Sequence, residues 1–306
     1  MTDIRVGNAP VSFAVYDAAA EAKGGWPWSR FLDEVASAGY QGTELGPYGY
    51  LPTDPVVLAA ELARRQLALG SSYVPALLGD PARLDQDRAE VLKVGRLLKT
   101  QGVSEVIIAD DGDPGRQAIA GRVPADGSRG WSSAQWATAV DHLQRIARAL
   151  RDELAMTLVV HHHVGTYLET PPEIDRLLAS TEPDLIGLLL DTGHVVYGGG
   201  DPLALLKRHG NRVRYVHFKD LRSDLLAEVR ARQIELHAAW KMGVFCPLGE
   251  GCVDFAGLLA ELQRQKYRGW IIVEQDIVAD ADGALRPPPA DSARASRTYL
   301  RDVLKI

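Results

Sequence analysis

The chain alternates short β-rich runs with helical segments eight times, and this alternation constrains the fold more than any other feature. Short apolar runs bounded by turn residues are typical of buried strands. The predicted strands are 4–7, 42–45, 67–74, 103–109, 156–162, 185–190, 213–218 and 270–273. An eightfold βα repeat in 306 residues predicts an α/β protein, a (β/α)8 TIM barrel, with a single domain covering 1–306.

Local signals mark the helix ends and two long connections. Asp54 and Pro55 form an N-cap followed by proline at the first helical position, and Gly39 closes the preceding helix. The segments 111–131 and 221–251 are too long for simple turns, so we interpret both as βα loops that bind or cover a ligand. A doubly wound sheet is the alternative fold, but no GxGxxG follows the first strand and no P-loop is present.

The charge and composition of the chain argue against several classes of binding partner. The net charge of −6 and the absence of a basic cluster argue against a nucleic acid or an anionic membrane as partner. No apolar run has the roughly 18 residues of a membrane span, and residues 1–10 lack a signal-peptide core, so a cytoplasmic protein is expected. Cys246 and Cys252 are expected to be free thiols. A small-molecule partner is predicted, and a homo-oligomer is left open.

The predicted strands end at side chains that bind metals or transfer protons. In chain order these are Glu44, Asp110, His161, His163, Asp191, His217, Lys219 and Glu274. A barrel brings the C-terminal ends of its strands to one mouth, so these residues can converge. Mixed imidazole and carboxylate donors suit Mn, Co, Zn or Fe better than Ca. The ligand set we predict is His163, Asp191, His217 and Glu274.

Each of these residues has a simpler explanation when taken alone. A lone histidine at a strand end is usually just hydrogen-bonded, Asp191 can serve as a helix N-cap, and Glu274 can pair with an arginine. Four successive strands ending in this way favour the metal site. His161 and His163 point to one face of the fifth strand and His162 to the other, so His162 is expected to be outward or structural. The choice between His161 and His163 as ligand stays open.

Several motifs resemble one known family. They are HHHVGTYLET (161–170), LLLDTGHVVYGGGD (188–201), YVHFKD (215–220), PLGEGCVDF (247–255) and YRGWIIVEQD (267–276). These stretches, together with VGNAPVSF (6–13) and AGYQGTELG (38–46), resemble the myo-inosose-2 dehydratase branch of the xylose-isomerase-like sugar isomerase/epimerase superfamily. The resemblance covers nearly the whole chain and is densest from 156 to 276.

The resemblance implies a barrel that acts on a polyol ketone or sugar with one divalent metal ion. Mn or Co is favoured, with Mg, Zn or Fe as alternatives. Members hold the metal with a glutamate, an aspartate, a histidine and a glutamate from strands five to eight, and the last three match Asp191, His217 and Glu274. At strand five this chain has histidine instead, although Glu169 offers a carboxylate six residues beyond His163.

Dehydration of an inosose removes a proton beside the ketone and expels a β-hydroxyl, which implies a base, an acid and groups that bind the ring. His161, His163 or Glu274 could be the base, and His194 could protonate the leaving hydroxyl. Lys219 would orient the substrate or stabilise the enolate, unless it is a solvated rim lysine. Glu44 is a candidate hydroxyl acceptor or a core ion-pair partner. The predicted substrate-binding residues are Glu44, Glu169, Tyr73 and Trp240.

Four functions compete on this pattern. The first is a lyase that removes water from 2-keto-myo-inositol or a related polyol ketone, and the second is a sugar or inosose isomerase/epimerase that forms the same enolate. An AP-endonuclease-like DNA repair enzyme would need a basic face and more histidines, and the charge of −6 argues against it. The fourth is a sugar-binding barrel without enzymatic activity.

Overall fold

The computed structural model describes residues 4–280 and 283–306, and a curved parallel sheet of nine strands forms its centre. In chain order the strands are β1 (Ile4–Asn8), β2 (Gly42–Thr43), β3 (Ala68–Leu69), β4 (Tyr73–Ala76), β5 (Glu105–Asp110), β6 (Thr157–His161), β7 (Ile186–Asp191), β8 (Val213–Phe218), β9 (Asp220–Leu221), β10 (Phe245–Cys246) and β11 (Gly269–Val273). The sheet runs in the order β3-β2-β1-β11-β8-β7-β6-β5-β4, while β9 and β10 form a separate antiparallel pair.

The sheet closes into an eightfold barrel because the third predicted strand is split into β3 and β4. β3 pairs with β2, and β4 pairs with β5, so the segment 68–76 joins the two ends of the sheet. The ladder continues across the split, where the carbonyl of Ser71 accepts a hydrogen bond from Leu45 and that of Ser72 accepts one from Ile107. At Gly70 a Cβ would lie 2.4 Å from the Tyr215 hydroxyl, so only glycine fits this position of the split strand.

Helices surround the barrel and cover the outer faces of its strands, and others lie in the two long loops. They are α1 (Trp28–Ser37), α2 (Pro55–Arg64), α3 (Leu84–Thr100), α4 (Pro114–Gln117), α5 (Ser133–Leu154), α6 (Pro171–Ser180), α7 (Thr192–Tyr197), α8 (Pro202–His209), α9 (Ser223–Ala231), α10 (Leu236–Lys241), α11 (Phe255–Arg264) and α12 (Pro289–Tyr299). The predicted cap at Asp54 is confirmed, because its side chain accepts hydrogen bonds from the amides of Val56 and Val57, and Ser132 forms a capping box with Gln135 at the start of α5.

Two layers of apolar side chains make up the barrel. One large cluster lies between the strands and the helices, and a smaller one fills the barrel interior. The interior cluster contains Ala9, Ile107, Val159, Leu189, Tyr215, Trp270 and Ile272. Neighbouring parallel strands place paired residues on the same face, so every second residue of β5 to β8 points inward. The polar residues that follow this cluster on the same face therefore lie at the C-terminal end of the barrel.

The two long loops form one body above this end of the barrel. The first loop contains α4, and the second contains α9 and α10, between β9 and β10. A third apolar cluster joins them, with Ala120 from the first loop and Leu226, Leu236, Val244 and Phe245 from the second. The loops are therefore packed against each other and against the rim, as expected for segments that shape a binding site.

The eight-stranded α/β barrel was correctly predicted, and local details differ. The strand predicted at 42–45 is shorter, the strand predicted at 67–74 is split into two, and β9 and β10 were missed. Cys246 and Cys252 are free. None of the described helices is both long and apolar enough to cross a membrane. The assignment of 1–306 to a single domain stays a prediction. The prediction that residues 1–10 lack a signal-peptide core includes residues 1–3, which lie outside the described residues.

Candidate metal centre and active-site cavity

Four buried side chains converge at the C-terminal ends of β6, β7, β8 and β11. They are His161, Asp191, His217 and Glu274, and one donor atom of each lies within 4.8 Å of the others. Nδ1 of His217 is 3.6 Å from Oδ2 of Asp191 and 3.1 Å from Oε2 of Glu274. Nε2 of His161 is 3.9 Å from the same Asp191 oxygen. Two imidazoles and two carboxylates around one point form a candidate site for a divalent transition metal.

An irregularity in the sheet brings two of these donors face to face. Leu188 of β7 pairs with Val213 of β8, but the next residue, Leu189, pairs with Tyr215, so one residue of β8 is left unpaired. This shift places Asp191 opposite His217. With an unbroken register Asp191 would pair with Val216, and the side chain of His217 would point to the face of the sheet opposite to that of Asp191. The register shift therefore decides that both donors point into the barrel.

Glu44 fixes the orientation of the His217 ring. Oε1 of Glu44 lies 2.9 Å from Nε2 of His217 and accepts a hydrogen bond from it, which leaves Nδ1 facing Asp191 and Glu274. Burial opposes charge on this ring, but Glu274 and Glu44 outweigh burial and raise the pKa of His217 well above its ordinary value. A carboxylate behind a ligating histidine is the usual arrangement of metal sites, because it sets the tautomer and the direction of the ring.

The structure groups His161, and not the predicted ligand His163, with Asp191, His217 and Glu274. β6 ends at His161, whose ring lies 5.2 Å from the ring of His217. His163 lies two residues beyond His161, after the end of β6, and its ring is 3.8 Å from that of His194. His162 is structural, as expected, because its Nε2 accepts a hydrogen bond from the Asp191 amide. This bond ties the two strands together directly behind the donor group.

Lys219 is buried beside the donor group and contacts four acceptors. Its Nζ is 2.9 Å from Nε2 of His194 and 3.1 Å from Oδ2 of Asp276. It is also 3.4 Å from Oδ2 of Asp191 and 3.1 Å from Oε2 of Glu274. Burial opposes the charge, but the three carboxylates outweigh it, and the pKa of Lys219 is raised well above its ordinary value.

Gly193 makes room for this lysine. A Cβ at position 193 would lie 2.7 Å from Cγ of Lys219, so the glycine of the DTGH motif allows the lysine stem to cross the first turn of α7. Asp191 caps the same turn, because its Oδ1 accepts a hydrogen bond from the His194 amide. Asp191 therefore has both of the roles considered for it. Its Oδ1 caps the helix, and its Oδ2 belongs to the donor group.

The donor group fits a divalent cation on three observations. Oδ2 of Asp191 and Nδ1 of His217 are buried and have no partner with hydrogen-bond geometry among the described residues. Burial, opposed by Asp191, lowers the pKa of His161 well below its ordinary value, which keeps this imidazole in the neutral form that binds metals. Asp191 itself stays ionised, because His194, Lys219 and His217 overcome its burial and lower its pKa well below the ordinary value.

A cavity of about 320 Å³ opens above the donor group. His161, His217, Glu274 and Lys219 contribute to its lining, and Asp110, Asp111 and Gln117 line it as well. Tyr73 forms part of the wall, with its ring edge-on to His161 at 6.2 Å. Burial raises the pKa of Asp110 to about 7, although its carboxylate accepts hydrogen bonds from the amides of Tyr167 and Leu78. A cavity of this size with converging polar groups suits a small polar molecule.

Two aromatic rings meet beside this cavity. Tyr16, from the loop after β1, stacks on Trp240 of α10 with 6.1 Å between ring centroids and 11° between planes. His237 lies edge-on to the same indole at 5.1 Å. All three residues line the cavity. The stacking contact joins the second long loop, which contains Trp240, to the loop after β1, which contains Tyr16.

Two predicted site residues lie behind the cavity. The Glu169 carboxylate, predicted to bind substrate, is buried and accepts hydrogen bonds from the amides of Gly121 and Gly165, so it anchors the first long loop. His194, predicted to be the acid, is completely buried and is not among the described cavity-lining residues. It contacts Lys219 instead, which does line the cavity. Glu44, Tyr73, Trp240 and His163 all line it.

Sequence reasoning missed Asp276, which contacts Lys219 and lines the cavity. The signal was present, because Asp276 follows Glu274 by two residues and strand alternation places such residues on one face. Asp110 was noted as a strand-end residue without a role. His237 and Asp111 carried no signal, since both belong to loops whose path the sequence pattern does not determine.

The family described as "Xylose isomerase-like TIM barrel" matches residues 32–303 of this sequence. The chain therefore belongs to the xylose isomerase-like TIM-barrel family. An inosose dehydratase of Geobacillus kaustophilus (strain HTA426) is 36% identical over 301 residues, 97% of this chain and 93% of that protein. An inosose dehydratase of Geobacillus thermodenitrificans (strain NG80-2) is 32% identical over 303 residues, 98% of this chain and 97% of that protein. These relatives confirm the resemblance found in the sequence.

A solved structure supports the fold independently. The structure described as the IOLI protein with a binding zinc atom has a TM-score of 0.72 and covers 98% of each chain at 13% sequence identity. At this identity the likeness establishes the barrel fold alone. The zinc belongs to that protein.

Proposed function

We propose that this protein is a metal-dependent dehydratase that removes water from 2-keto-myo-inositol or a closely related polyol ketone. The observation that carries the proposal is the group of four buried donors beneath a cavity of about 320 Å³ lined by carboxylates, imidazoles and a buried lysine. The names of the relatives support the choice of a dehydratase and of an inosose as substrate.

His161, Asp191, His217 and Glu274 are the residues that would hold the metal. When bound there, a divalent ion supplies a Lewis acid that polarises the substrate ketone and lowers the energy of the enolate. Glu44 keeps the His217 ring turned towards this point. Mn or Co is the proposed ion, because two imidazoles and two carboxylates are intermediate between the donor sets of zinc and magnesium.

His163 is the proposed base. Its Nδ1 lies 2.7 Å from the carbonyl oxygen of Val164, which can only accept, so Nδ1 carries the ring proton and Nε2 carries the free lone pair. Burial and nearby Lys219 lower the pKa of His163, which keeps the ring neutral and able to accept a proton. His163 also lines the cavity, so its ring can reach a carbon beside the ketone.

Lys219 is the proposed donor to the oxygen that gains charge or leaves. Lys219 contributes to the lining of the cavity, and Nε2 of His194 accepts a hydrogen bond from its ammonium group. His194 is therefore a positioning residue, which replaces its predicted role as general acid. A buried ammonium held by fixed acceptors stabilises developing negative charge without reorganising.

The remaining cavity residues are proposed to bind the ring. Asp110 and Asp111 offer oxygen acceptors for the hydroxyls of a polyol, on the wall formed by the end of β5. Tyr73 and Trp240 present apolar ring surfaces, which can cover the C–H face of a cyclic sugar. Glu169 is not part of this proposal, because it is not among the described residues that line the cavity and its carboxylate is occupied by backbone amides.

Incubation of the protein with 2-keto-myo-inositol and Mn²⁺ or Co²⁺ tests the reaction. A dehydratase produces an ultraviolet-absorbing conjugated product with the mass of the substrate less one water. An isomerase or epimerase converts the substrate without a change in mass, and this result would replace the dehydratase with the alternative. Absence of both products with every divalent metal would refute the proposal.

Asp191→Asn tests the metal centre within the same experiment. Asparagine retains an oxygen that can cap α7, so the fold should survive, while the charge of one proposed ligand is lost. We expect loss of bound metal and loss of turnover together. Turnover at the wild-type rate without bound metal would separate the reaction from the metal.

We also propose a cytoplasmic location, a small-molecule substrate and no nucleic-acid partner. Support comes from the two free thiols, which suit a reducing compartment, and from the net charge of −6. Cell fractionation tests the location. Size-exclusion chromatography with light scattering determines whether the protein forms a homo-oligomer.

A further inference from the structure

A second group of metal-capable side chains lies directly beside the first. Donor atoms of His163, His194 and Asp276 are within 4.8 Å of one another. His194 and Asp276 are buried and His163 is half-buried, and Nε2 of His194 lies 3.8 Å from Oδ2 of Asp191 and 3.9 Å from Oδ2 of Asp276. Two imidazoles and a carboxylate next to a metal centre are the components of a second cation site.

Lys219 joins this second group to the first. Its Nζ is 2.9 Å from His194 and 3.1 Å from Asp276, within the second group, and 3.1 Å from Glu274 and 3.4 Å from Asp191, within the first. An ammonium group makes contacts of this length, whereas a metal would draw the same donors to about 2.0–2.3 Å. The chain's own cation therefore lies between the two groups, where a second metal would share Asp191 and Glu274 with the first.

We infer that the ammonium group of Lys219 holds the second cation position of a two-metal pocket and so limits the centre to one metal ion. This inference rests on the metal site of the proposed function. According to this inference, His163, His194 and Asp276 bind a divalent cation only when Lys219 is replaced by a smaller, uncharged residue.

Charge and space both support this assignment. Lys219 contacts three carboxylates, those of Asp191, Glu274 and Asp276, so one divalent ion and one ammonium group balance their charge. A second divalent ion beside the lysine would leave an excess of buried positive charge, which is strongly unfavourable. Replacing the lysine with alanine leaves an excess of negative charge and opens the space that the lysine stem fills against Gly193.

Metal content measured on the full-length protein tests the inference. Apo protein is incubated with excess Mn²⁺, freed from unbound metal by gel filtration, and assayed by elemental analysis. We expect one Mn²⁺ per chain in the wild type and two in Lys219→Ala. The electron paramagnetic resonance spectrum should also change from that of an isolated ion to that of a coupled pair, because ions in two-metal sites lie only about 3.5–4 Å apart.

Two controls isolate the second site. Lys99→Ala removes an exposed lysine from α3 and should keep one metal per chain. The double variant Lys219→Ala/Asp276→Asn loses a carboxylate of the second group only, so its metal content should return to one. Circular dichroism checks the fold of every variant. Lys219→Ser is measured in parallel, since its hydroxyl can replace one lost hydrogen bond, and it should also bind two ions.

Two results would overturn the inference: two ions per chain in the wild type, or one ion in the folded Lys219→Ala and Lys219→Ser proteins. If neither variant folds, the wild-type stoichiometry still decides, since two ions refute the inference and one supports it. A wild type that binds no divalent ion at all would instead refute the metal centre of the proposed function. The two failures are therefore distinguishable.

Discussion

Nε2 of His217 donates a hydrogen bond to Oε1 of Glu44 across 2.9 Å, which connects the end of β8 to the segment that follows β2. Both side chains are buried, so little else competes for this bond. Because the bond fixes which ring nitrogen faces Asp191 and Glu274, Glu44 would act on the proposed metal centre through His217.

Glu44→Ala is expected to weaken metal binding by roughly 10–100-fold, the usual effect of removing the partner of a metal-ligating histidine. Glu44→Gln retains an oxygen acceptor and should lose less. Metal affinity is measured by competition with a chelator of known affinity. Equal affinities of Glu44→Ala and the wild type would show that the ring needs no such support.

Substitutions of His161, at the end of β6, and of His163, beyond that end, are expected to have different effects. His161→Ala removes a proposed ligand and should lose metal and turnover together. His163→Ala should retain the metal and lower kcat by roughly 10²–10⁴-fold, the usual contribution of a general base. Metal content and kcat are measured on both variants. Metal loss from His163→Ala with retention in His161→Ala would restore the original sequence prediction of His163 as the ligand.

The sequence predicted the barrel and three of the four donors because both follow from strand periodicity. A barrel gathers the ends of its strands, so Asp191, His217 and Glu274 could be placed together from their positions alone. The choice of His161 over His163 could not be predicted, because it depends on the residue at which β6 stops. Pattern reasoning locates such boundaries only to within a few residues.

Other features of the site depend on contacts that no local pattern encodes. The skipped residue in β8 that aligns Asp191 with His217 follows from the packing of two whole strands. The hydrogen bonds that Glu169 accepts from the amides of Gly121 and Gly165 could not be predicted, because these glycines belong to a loop and a turn. Backbone groups in irregular segments have no sequence signature, so a carboxylate that satisfies them looks the same in sequence as one that binds a substrate.

The stacked pair of Tyr16 and Trp240 is expected to affect substrate binding and not the metal. An aromatic pair is worth about 0.5–1.5 kcal/mol beyond its area, so Trp240→Ala should raise KM by roughly two- to tenfold. Trp240→Phe keeps a ring that can stack and should stay near the wild type. Metal content should be unchanged in both. Loss of metal from Trp240→Ala would mean that the second loop supports the centre itself.

The last prediction concerns Arg116, which anchors the first long loop from a fully buried position. Its guanidinium donates to both carboxylate oxygens of Glu173, at 2.7 and 3.0 Å, and lies 3.9 Å from Glu169. Removing one partner of a buried ion pair leaves an uncompensated charge and typically costs about 3–5 kcal/mol. Arg116→Met should therefore lower the free energy of unfolding by about this amount, measured by urea denaturation.

Arg148, whose ion pair with Glu182 is about half exposed, supplies the matched control. Exposed pairs contribute at most about 1 kcal/mol, so Arg148→Met should unfold at nearly the wild-type urea concentration. Because Arg116 also donates to the carbonyl of Arg129, its loss should free the loop as well as destabilise the fold, and proteolysis should then cut first within 111–131. Equal stability of the two variants would show that the loop is held by the apolar cluster around Ala120 instead of by Arg116.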